Sequence, residues 1–170
     1  MVVWVIGLSG AGKTTLAGKV VEELRNSVSN VVLIDGDEIR EVFGNDLGHT
    51  LADRRRNADR ICRLGKFLED QGIHVVCAIL SLFPESREWN RNNLRKYFEV
   101  FVDTPLDDLK QRDSKGLYAR FEKGEISNVA GLDLFFPPPD AHLVIRNNGS
   151  RDELLSHAPV IAGRVLRGNA

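Results

Sequence analysis

The stretch Val2–Thr15, VVWVIGLSGAGKTT, runs from an apolar segment directly into a glycine-rich turn, a lysine and two threonines. Gly7, Gly12, Lys13 and Thr14 fill the pattern G-x-x-x-x-G-K-[ST]. Glycine permits positive φ angles and a close backbone approach, so that successive N–H groups can point at phosphate oxygens. The lysine of this pattern reaches the β- and γ-phosphates, and the hydroxyl is a ligand of Mg²⁺. The stretch therefore predicts a loop that binds the phosphates of a nucleotide.

The context of this pattern supports that interpretation over a strand and helix joined by an ordinary glycine-rich turn. A buried-strand pattern precedes the loop and an amphipathic helix follows it, which is the arrangement that phosphate loops require. The helix also directs the positive end of its dipole at the bound anion. We predict that the nucleotide contacts Gly7, Ser9, Gly10, Ala11, Gly12, Lys13, Thr14 and Thr15.

Composition is that of an ordinary soluble globular protein of one domain. The chain has 170 residues, of which 42% are hydrophobic and 28% charged, with a net charge of −1. This near-neutral balance argues against a general surface for nucleic acid or acidic membranes, so the expected partner is a small molecule. Cys62 and Cys77 fit no metal-binding spacing, which favours reduced, buried thiols and a cytoplasmic location. The apolar N-terminus lacks a basic segment before it and is expected to be a strand, not a signal peptide.

The order of apolar runs and helical stripes predicts an α/β fold. Strands are predicted at residues 2–6, 31–34, 73–80, 98–102 and 143–145. Helices are predicted at 13–27, 50–71, 84–97, from Pro105 onward, and at 151–166. Strands that are continuously apolar and alternate with helices indicate a parallel sheet covered on both faces. We therefore expect a single domain, residues 1–170, with five parallel strands flanked by helices.

Residues 111–140 lack a clean helical or strand period and mix charges, glycines and aromatic residues. Loops of this length are uncommon in compact domains and usually functional. A mobile lid over the site is favoured over an ordinary surface loop. Its cations Arg112, Lys115 and Arg120 could close on the phosphates of the nucleotide.

The residues that follow the strands distinguish a kinase from other proteins with such a loop. The chain lacks the Asn-Lys-x-Asp signature for guanine, and the central strand ends in Ser81 without an acidic residue. Asp35 and Asp37 instead follow the second strand. Ligands of open α/β sheets bind beyond the carboxyl ends of the strands, so these carboxylates are placed to handle an acceptor hydroxyl.

Five segments, in collinear order, resemble the adenylyl-sulfate kinase family. They are GLSGAGKTT (7–15), IDGDEIR (34–40), DRRRNADR (53–60), FVDTPLDDLKQRDSKGLY (101–118) and GLD (131–133). The second and fourth segments are specific to that family, and the phosphate loop is not. The resemblance implies a P-loop kinase fold and transfer of the ATP γ-phosphate to the 3′-hydroxyl of adenylyl sulfate, or a close nucleotide-like acceptor. It also implies the cofactor Mg²⁺ and a homodimer.

The resemblance assigns roles on the donor and metal side. Asp37 matches the acid near the acceptor hydroxyl, acting as proton acceptor or through a Mg²⁺-bound water. Asp35 would support the water shell of a metal ion bound by Thr14. The alternative is that both acids only cap a helix. With Lys13 and the lid residue Lys115, Asp35 and Asp37 form the predicted catalytic set.

The resemblance also assigns an acceptor site. Arg54 and Asn57 are three residues apart and share one helix face, as joint contact with a ligand requires. Arg112 and Lys115 match lid positions that engage nucleotide phosphates. Ser81 matches a serine that can carry a phosphoryl group in the family, although a structural role is the default here. The predicted substrate contacts are Asp37, Arg40, His49, Arg54, Asn57, Ser81, Lys115, Val129 and Leu132.

Departures from the family pattern fall on the acceptor side. The family has phenylalanines that sandwich the adenine of the acceptor where this chain has His49 and Val129, and an arginine where it has Asp59. Each lost aromatic stack removes about 0.5–1.5 kcal/mol beyond area burial. A changed acceptor is therefore an alternative, and related kinases act on cytidine diphosphoramidate in capsule modification. A third possibility, a non-catalytic nucleotide-binding module, is disfavoured by the intact Lys13 and Asp37.

Overall fold

Five parallel strands form one sheet in the computed structural model, which describes residues 1–113 and 115–168. The strands are β1 (Val2–Ile6), β2 (Val31–Asp35), β3 (His74–Ile79), β4 (Tyr97–Asp103) and β5 (Leu143–Arg146). Their order across the sheet is β2-β3-β1-β4-β5, and every described pair is parallel. The central strand β1 is completely buried, which is why its sequence is apolar without interruption. The predicted parallel sheet of five strands is confirmed.

Eight helices flank this sheet in the described residues. They are α1 (Lys13–Arg25), α2 (Gly36–Val42), α3 (Leu51–Asp70), α4 (Pro84–Asn93), α5 (Leu106–Arg112), α6 (Leu117–Glu122), α7 (Arg151–Leu155) and α8 (Ala158–Arg167). Alternate residues of β1 point into two separate cores: Val3 and Val5 pack with α1 and α8, whereas Trp4 packs with α3. None of the described helices is long and apolar enough to cross a lipid bilayer.

The predicted helix signals operate as expected at α3 and α4. The hydroxyl of Thr50 accepts a hydrogen bond from the Asp53 N–H at 3.2 Å and caps α3. Gly72 follows the end of that helix with φ 78°, the left-handed conformation that glycine adopts most readily. Pro84 occupies the first turn of α4.

The structure corrects the prediction at three helices. First, α4 ends at Asn93 and not near Tyr97, because Leu94 is extended and Tyr97 begins β4. Second, the single helix predicted at 151–166 is two helices, and Pro159 lies in the first turn of α8, where its missing N–H is tolerated. Third, the short helix α2 follows β2 directly and was not predicted.

The predicted lid, residues 111–140, is more ordered than a long irregular loop. It includes α6 and a short bridge between Ala130 and Leu134. Tyr118 and Val129 are each 2% exposed and pack into the main core. The helix α6 was not predicted in this segment, whereas its role as a mobile lid and the single-domain assignment stay predictions.

Candidate active site

The phosphate-loop residues form a tight turn between β1 and α1. Gly12 has φ 91°, in the left-handed region that favours glycine. At Gly7, a Cβ atom would lie 2.8 Å from the Val102 carbonyl oxygen and 3.1 Å from the Ala11 Cβ atom. The two glycines are thus required for different reasons, the first by crowding and the second by backbone conformation.

The side chain of Lys13 lies inside this turn. Its Nζ atom donates a hydrogen bond to the Leu8 carbonyl oxygen at 2.8 Å. Burial lowers the pKa of Lys13 to about 8, an effect that the nearby Asp35 carboxylate opposes. A bound anion would favour the charged ammonium and raise this pKa again, so the lysine is suited to a polyanionic ligand.

Asp35 connects the phosphate loop to α2. One carboxylate oxygen, Oδ2, accepts a hydrogen bond from the Thr14 hydroxyl at 2.6 Å. The other, Oδ1, accepts from the Asp37 N–H at 2.8 Å and caps α2. The capping role that the sequence left open is therefore real, and it coexists with the contact to the phosphate loop.

The oxygen atoms of Thr14, Asp35 and Asp37 are the kind of ligand that Mg²⁺ prefers. Among the described residues, no group of three or more His, Cys, Asp or Glu side chains could enclose a metal ion. Mg²⁺ commonly binds through one or two protein groups, waters and substrate phosphates, so this sparse set fits it.

Asp37 carries the charged contacts of the site. Its Oδ2 atom accepts from the Lys115 Nζ atom at 2.6 Å, and its Oδ1 atom accepts from the Arg40 Nη1 atom at 3.1 Å. Burial alone would raise the pKa of Asp37, but the two cations outweigh it and the net pKa is lowered. The carboxylate is consequently ionised at neutral pH, and the lid residue Lys115 lies against it.

Arg40 and Asn57 meet at one backbone atom beside Asp37. The Arg40 Nη1 and Asn57 Nδ2 atoms both donate to the Gly36 carbonyl oxygen, at 3.0 and 3.2 Å. Arg40 Nε and Asn57 Oδ1 are buried and have no hydrogen-bond partner within the described chain. Unpaired buried polar atoms are rare, and both of these belong to side chains that meet at the Gly36 carbonyl oxygen.

Arg54 links the start of α3 to the lid. Its Nε atom donates to the His49 carbonyl oxygen at 2.9 Å, and its Nη2 atom donates to the Asn128 carbonyl oxygen at 3.5 Å. Burial lowers the pKa of His49, and the charges of Arg40 and Arg54 lower it further. The imidazole is therefore held neutral near the predicted acceptor contacts.

Two predicted acceptor contacts have side chains directed into the protein. Val129 is 2% exposed and belongs to the main core, and Leu132 packs against the same core. The backbone N–H of Val129 is engaged by the Asp133 carboxylate at 2.6 Å. Their contacts with an acceptor stay predictions.

A cleft of about 230 Å³ opens beside the phosphate loop, and its lining does not include Asp37. Arg112, predicted to contact the nucleotide, lines it together with residues that the sequence analysis missed, notably Asn147 and Arg151. The signal that could have found Asn147 is its position directly after the last strand, where open α/β sheets bind ligands. The lining residues are Gly12, Thr15, Arg112, Asn147, Gly149, Arg151 and Leu154.

Comparison with known proteins identifies the family. The protein-family model described as Adenylylsulphate kinase matches residues 1–146. The chain belongs to this family. It is 40% identical over 156 residues to the cytidine diphosphoramidate kinase of Campylobacter jejuni, covering 90% of this chain and 89% of that protein. It is 41% identical over 142 residues to the adenylyl-sulfate kinase of Aeromonas hydrophila, covering 82% and 72%.

The solved structures confirm the predicted P-loop kinase fold. The Mycobacterium tuberculosis APS kinase CysC in complex with AMPPNP and APS superposes with a TM-score of 0.82 at 34% identity. The match covers 98% of this chain and 95% of that one. The resemblance drawn from the five sequence segments is thus confirmed, and the chain is a kinase of the adenylyl-sulfate kinase family.

Ser81 is the family position whose surroundings differ most from the expectation of a ligand contact. Its side chain is buried, and its Oγ atom accepts a hydrogen bond from the Trp4 indole N–H at 3.1 Å. The residue has φ 54°, unusual for a residue with a side chain, and its carbonyl accepts from Arg87 at 2.7 Å. These contacts agree with the structural role that we took as the default, and a binding or phosphoryl-carrying role stays a prediction.

We expect Ser81→Ala to lower the free energy of unfolding by about 1–3 kcal/mol, because the buried Trp4 N–H would lose its acceptor. Trp4→Phe removes the indole N–H, which is the donor of the same hydrogen bond. The double variant should therefore be less destabilised than the sum of the single variants, by about 1 kcal/mol, in urea titrations. Additive effects would show that the hydrogen bond contributes nothing, and a loss of turnover without a loss of stability would support the phosphoryl-carrying role.

Proposed function

We propose that this kinase transfers the γ-phosphate of ATP to the 3′-hydroxyl of a nucleotide-like acceptor. The observation that carries the proposal is the short chain of contacts from Thr14 through Asp35 to Asp37, which joins a phosphate loop to an ionised carboxylate. Phosphoryl transfer needs a donor phosphate and an acceptor hydroxyl side by side, with little further chemistry from the protein. The Mycobacterium tuberculosis relative, whose structure contains AMPPNP and APS, supports two nucleotide sites.

On the donor side, the proposed roles follow the contacts of the phosphate loop. Backbone N–H groups of the loop bind the phosphates, Lys13 balances their charge, and the cleft lined by Arg112 receives the base. Thr14, with Asp35 and Asp37 acting through water, would hold Mg²⁺, which neutralises charge on the phosphates when bound. These residues orient the γ-phosphate toward α2.

On the acceptor side, Asp37 accepts the hydroxyl proton while the oxygen attacks phosphorus. The carboxylate must be ionised for this role, and its lowered pKa meets that condition. Lys115 pairs with Asp37 in the absence of substrates and also acts on the pKa of Lys13. We propose that the Lys115 ammonium leaves the Asp37 carboxylate when substrates bind and then contacts the phosphoryl group that is being transferred.

Asp37→Asn should reduce kcat by about 10²- to 10⁴-fold, the usual contribution of a positioned general base. Lys13→Ala should abolish turnover by weakening donor binding. The matched control is Glu38→Gln, which neutralises an exposed acid at the next position and should retain wild-type turnover. The measurement is acceptor-dependent ADP release. Wild-type protein that releases no ADP with any nucleotide acceptor would support a non-catalytic binding module instead.

The affinity for Mg·ATP should depend on pH through Lys13, whose pKa is lowered to about 8. Bound phosphates select the ammonium form, so affinity should be constant below this pKa. Above it, affinity should fall by up to about tenfold per pH unit, because the free enzyme must take up a proton to bind. Calorimetry in buffers of different ionisation enthalpy would detect that proton.

The matched variant for this titration is Lys13→Gln, which cannot change its charge. Its residual affinity should not vary with pH over the same range. Equal pH dependence in wild type and Lys13→Gln would contradict the assignment to this lysine.

Two acceptors are candidates, adenylyl sulfate and cytidine diphosphoramidate, and we propose the cytidine compound. Sequence identity does not separate the two, since the Campylobacter jejuni cytidine diphosphoramidate kinase is 40% identical and the Aeromonas hydrophila adenylyl-sulfate kinase 41%. The support for the cytidine compound is that the structure offers little for a purine sandwich, since Val129 is buried in the core and His49 supplies only a small neutral ring. A pyrimidine has less surface to cover and depends less on two flanking aromatic rings.

An assay with ATP·Mg²⁺ and each acceptor in turn should give turnover with cytidine diphosphoramidate at a higher kcat/KM than with adenylyl sulfate. His49→Phe should shift the ratio of the two kcat/KM values toward adenylyl sulfate by about two- to tenfold, the value of one aromatic stack. The control is His142→Phe, at an exposed histidine directly before β5 whose ring accepts from the Glu99 N–H and contacts none of the predicted site residues in the described contacts. An unchanged ratio in His49→Phe would show that this position does not contact the base.

We also propose a cytoplasmic location, which the free, buried thiols of Cys62 and Cys77 favour, and a homodimer, as the family resemblance implies. The support for the homodimer is the family membership alone, because the contacts described above lie within one chain. Light scattering of the full chain, with and without nucleotides, would measure the number of subunits.

A further inference from the structure

The carbonyl oxygen of Ala11, in the middle of the phosphate loop, accepts hydrogen bonds from two side chains outside the loop. Asn147 donates through Nδ2 at 2.9 Å, and Thr104 donates through its hydroxyl at 3.4 Å. Both donors are buried, with 3% and 7% of their surface exposed. Neither belongs to the predicted site, and no role described above requires their side chains.

These two donors reach the loop because they follow adjacent strands. Thr104 comes directly after β4 and Asn147 directly after β5, so both leave the sheet at the same edge. The Asn147 N–H also donates to the Asp103 carbonyl oxygen at 2.7 Å, which extends the strand pairing by one residue. The backbone from which the Asn147 side chain projects is thereby fixed to the sheet and is not part of a free loop.

We propose that Asn147 and Thr104 are positioning residues that set the orientation of the Ala11–Gly12 peptide and so direct its N–H at the donor phosphates. The proposal rests on the proposed function of this loop. In a trans peptide the carbonyl and the following N–H point in opposite directions, and the described chain contains no cis bond. Because two buried donors fix the Ala11 carbonyl toward the interior, the Gly12 N–H of the same peptide points away from the interior.

The glycine at position 12 makes this restraint necessary. Gly12 has φ 91° and lacks a side chain, so its backbone can change conformation more easily than that of any other residue. A peptide that must be ordered when the phosphate binds costs conformational entropy at that moment. Two fixed donors order the peptide beforehand, which is the arrangement that stabilises charge without reorganisation.

Asn147 also connects the phosphate loop to Arg112, which lines the same cleft. Its Nδ2 atom lies 3.4 Å from the position of a Cβ on Gly12, and its own carbonyl accepts from Arg112 at 3.4 Å. One buried amide therefore contacts the phosphate loop while its backbone contacts the predicted nucleotide arginine. A residue that only filled space would need neither hydrogen bond.

The test is the affinity of the full chain for Mg·ATP and for inorganic tripolyphosphate, measured by calorimetry. Asn147→Leu removes both polar atoms at similar volume and should raise the Kd for both ligands by about three- to tenfold, the value of one neutral hydrogen bond. Thr104→Val should raise the Kd less, because the hydrogen bond from Thr104 to the Ala11 carbonyl is longer than the one from Asn147. Thr104→Ser should recover the affinity lost in Thr104→Val, and the KM for the acceptor should not change in any of them.

The control is Asn90→Leu, which removes another buried asparagine, one that donates to the Tyr97 hydroxyl far from the loop. It should leave the Kd for tripolyphosphate unchanged. Wild-type Kd values in both Asn147→Leu and Thr104→Val would overturn this inference and leave the proposed function standing. A wild-type chain that binds neither ligand would overturn both. Thermal unfolding of each variant shows that it is folded, and Thr104→Val tests the inference if Asn147→Leu does not fold.

Discussion

The carboxylate of Asp35 is the contact on which the site depends, because its two oxygens serve two different parts of the chain. One accepts from Thr14 in the phosphate loop, and the other caps α2 through the Asp37 N–H. The cap determines where α2 begins, and α2 carries Asp37 and Arg40. The position of Asp37 relative to Thr14 is therefore set by a single side chain at the end of β2, and under the proposed function a change there would affect both substrates at once.

Charge at this edge of the sheet is arranged in alternation. Lys13 lies in the phosphate loop, followed by the acids Asp35 and Asp37, and then by Lys115 and Arg40 beyond them. In the absence of phosphates the acids are neutralised by the surrounding cations, which lowers the pKa of Asp37. Under the proposed function, the donor phosphates would compete with Asp37 for Lys115, so that donor binding would release the acid.

The strands and the phosphate loop could be predicted from the sequence because their signals are local. A continuous apolar run, the spacing of Gly7, Gly12 and Lys13, and Thr50 as a helix cap each depend on a few neighbouring residues. The helix α2 was not predicted because the sequence analysis favoured metal and acceptor roles for Asp35 and Asp37 and kept helix capping only as the alternative. Asn147 and the burial of Val129 were missed because both depend on contacts with residues far along the chain: Asn147 reaches Ala11 across 136 positions. Periodicity carries no information about such pairs.

The two halves of the site differ in how far the fold already satisfies their polar groups. On the donor side, carbonyls of the loop already have partners in Lys13, Tyr118 and Asn147. On the predicted acceptor side, Arg40 Nε and Asn57 Oδ1 are buried without partners in the described chain. An unpaired buried group costs about 1–3 kcal/mol. Substitutions that disturb the donor side would break hydrogen bonds that the fold already makes. Under the proposed function, we therefore expect the predicted acceptor contacts, including His49, to tolerate substitution more readily than the phosphate loop.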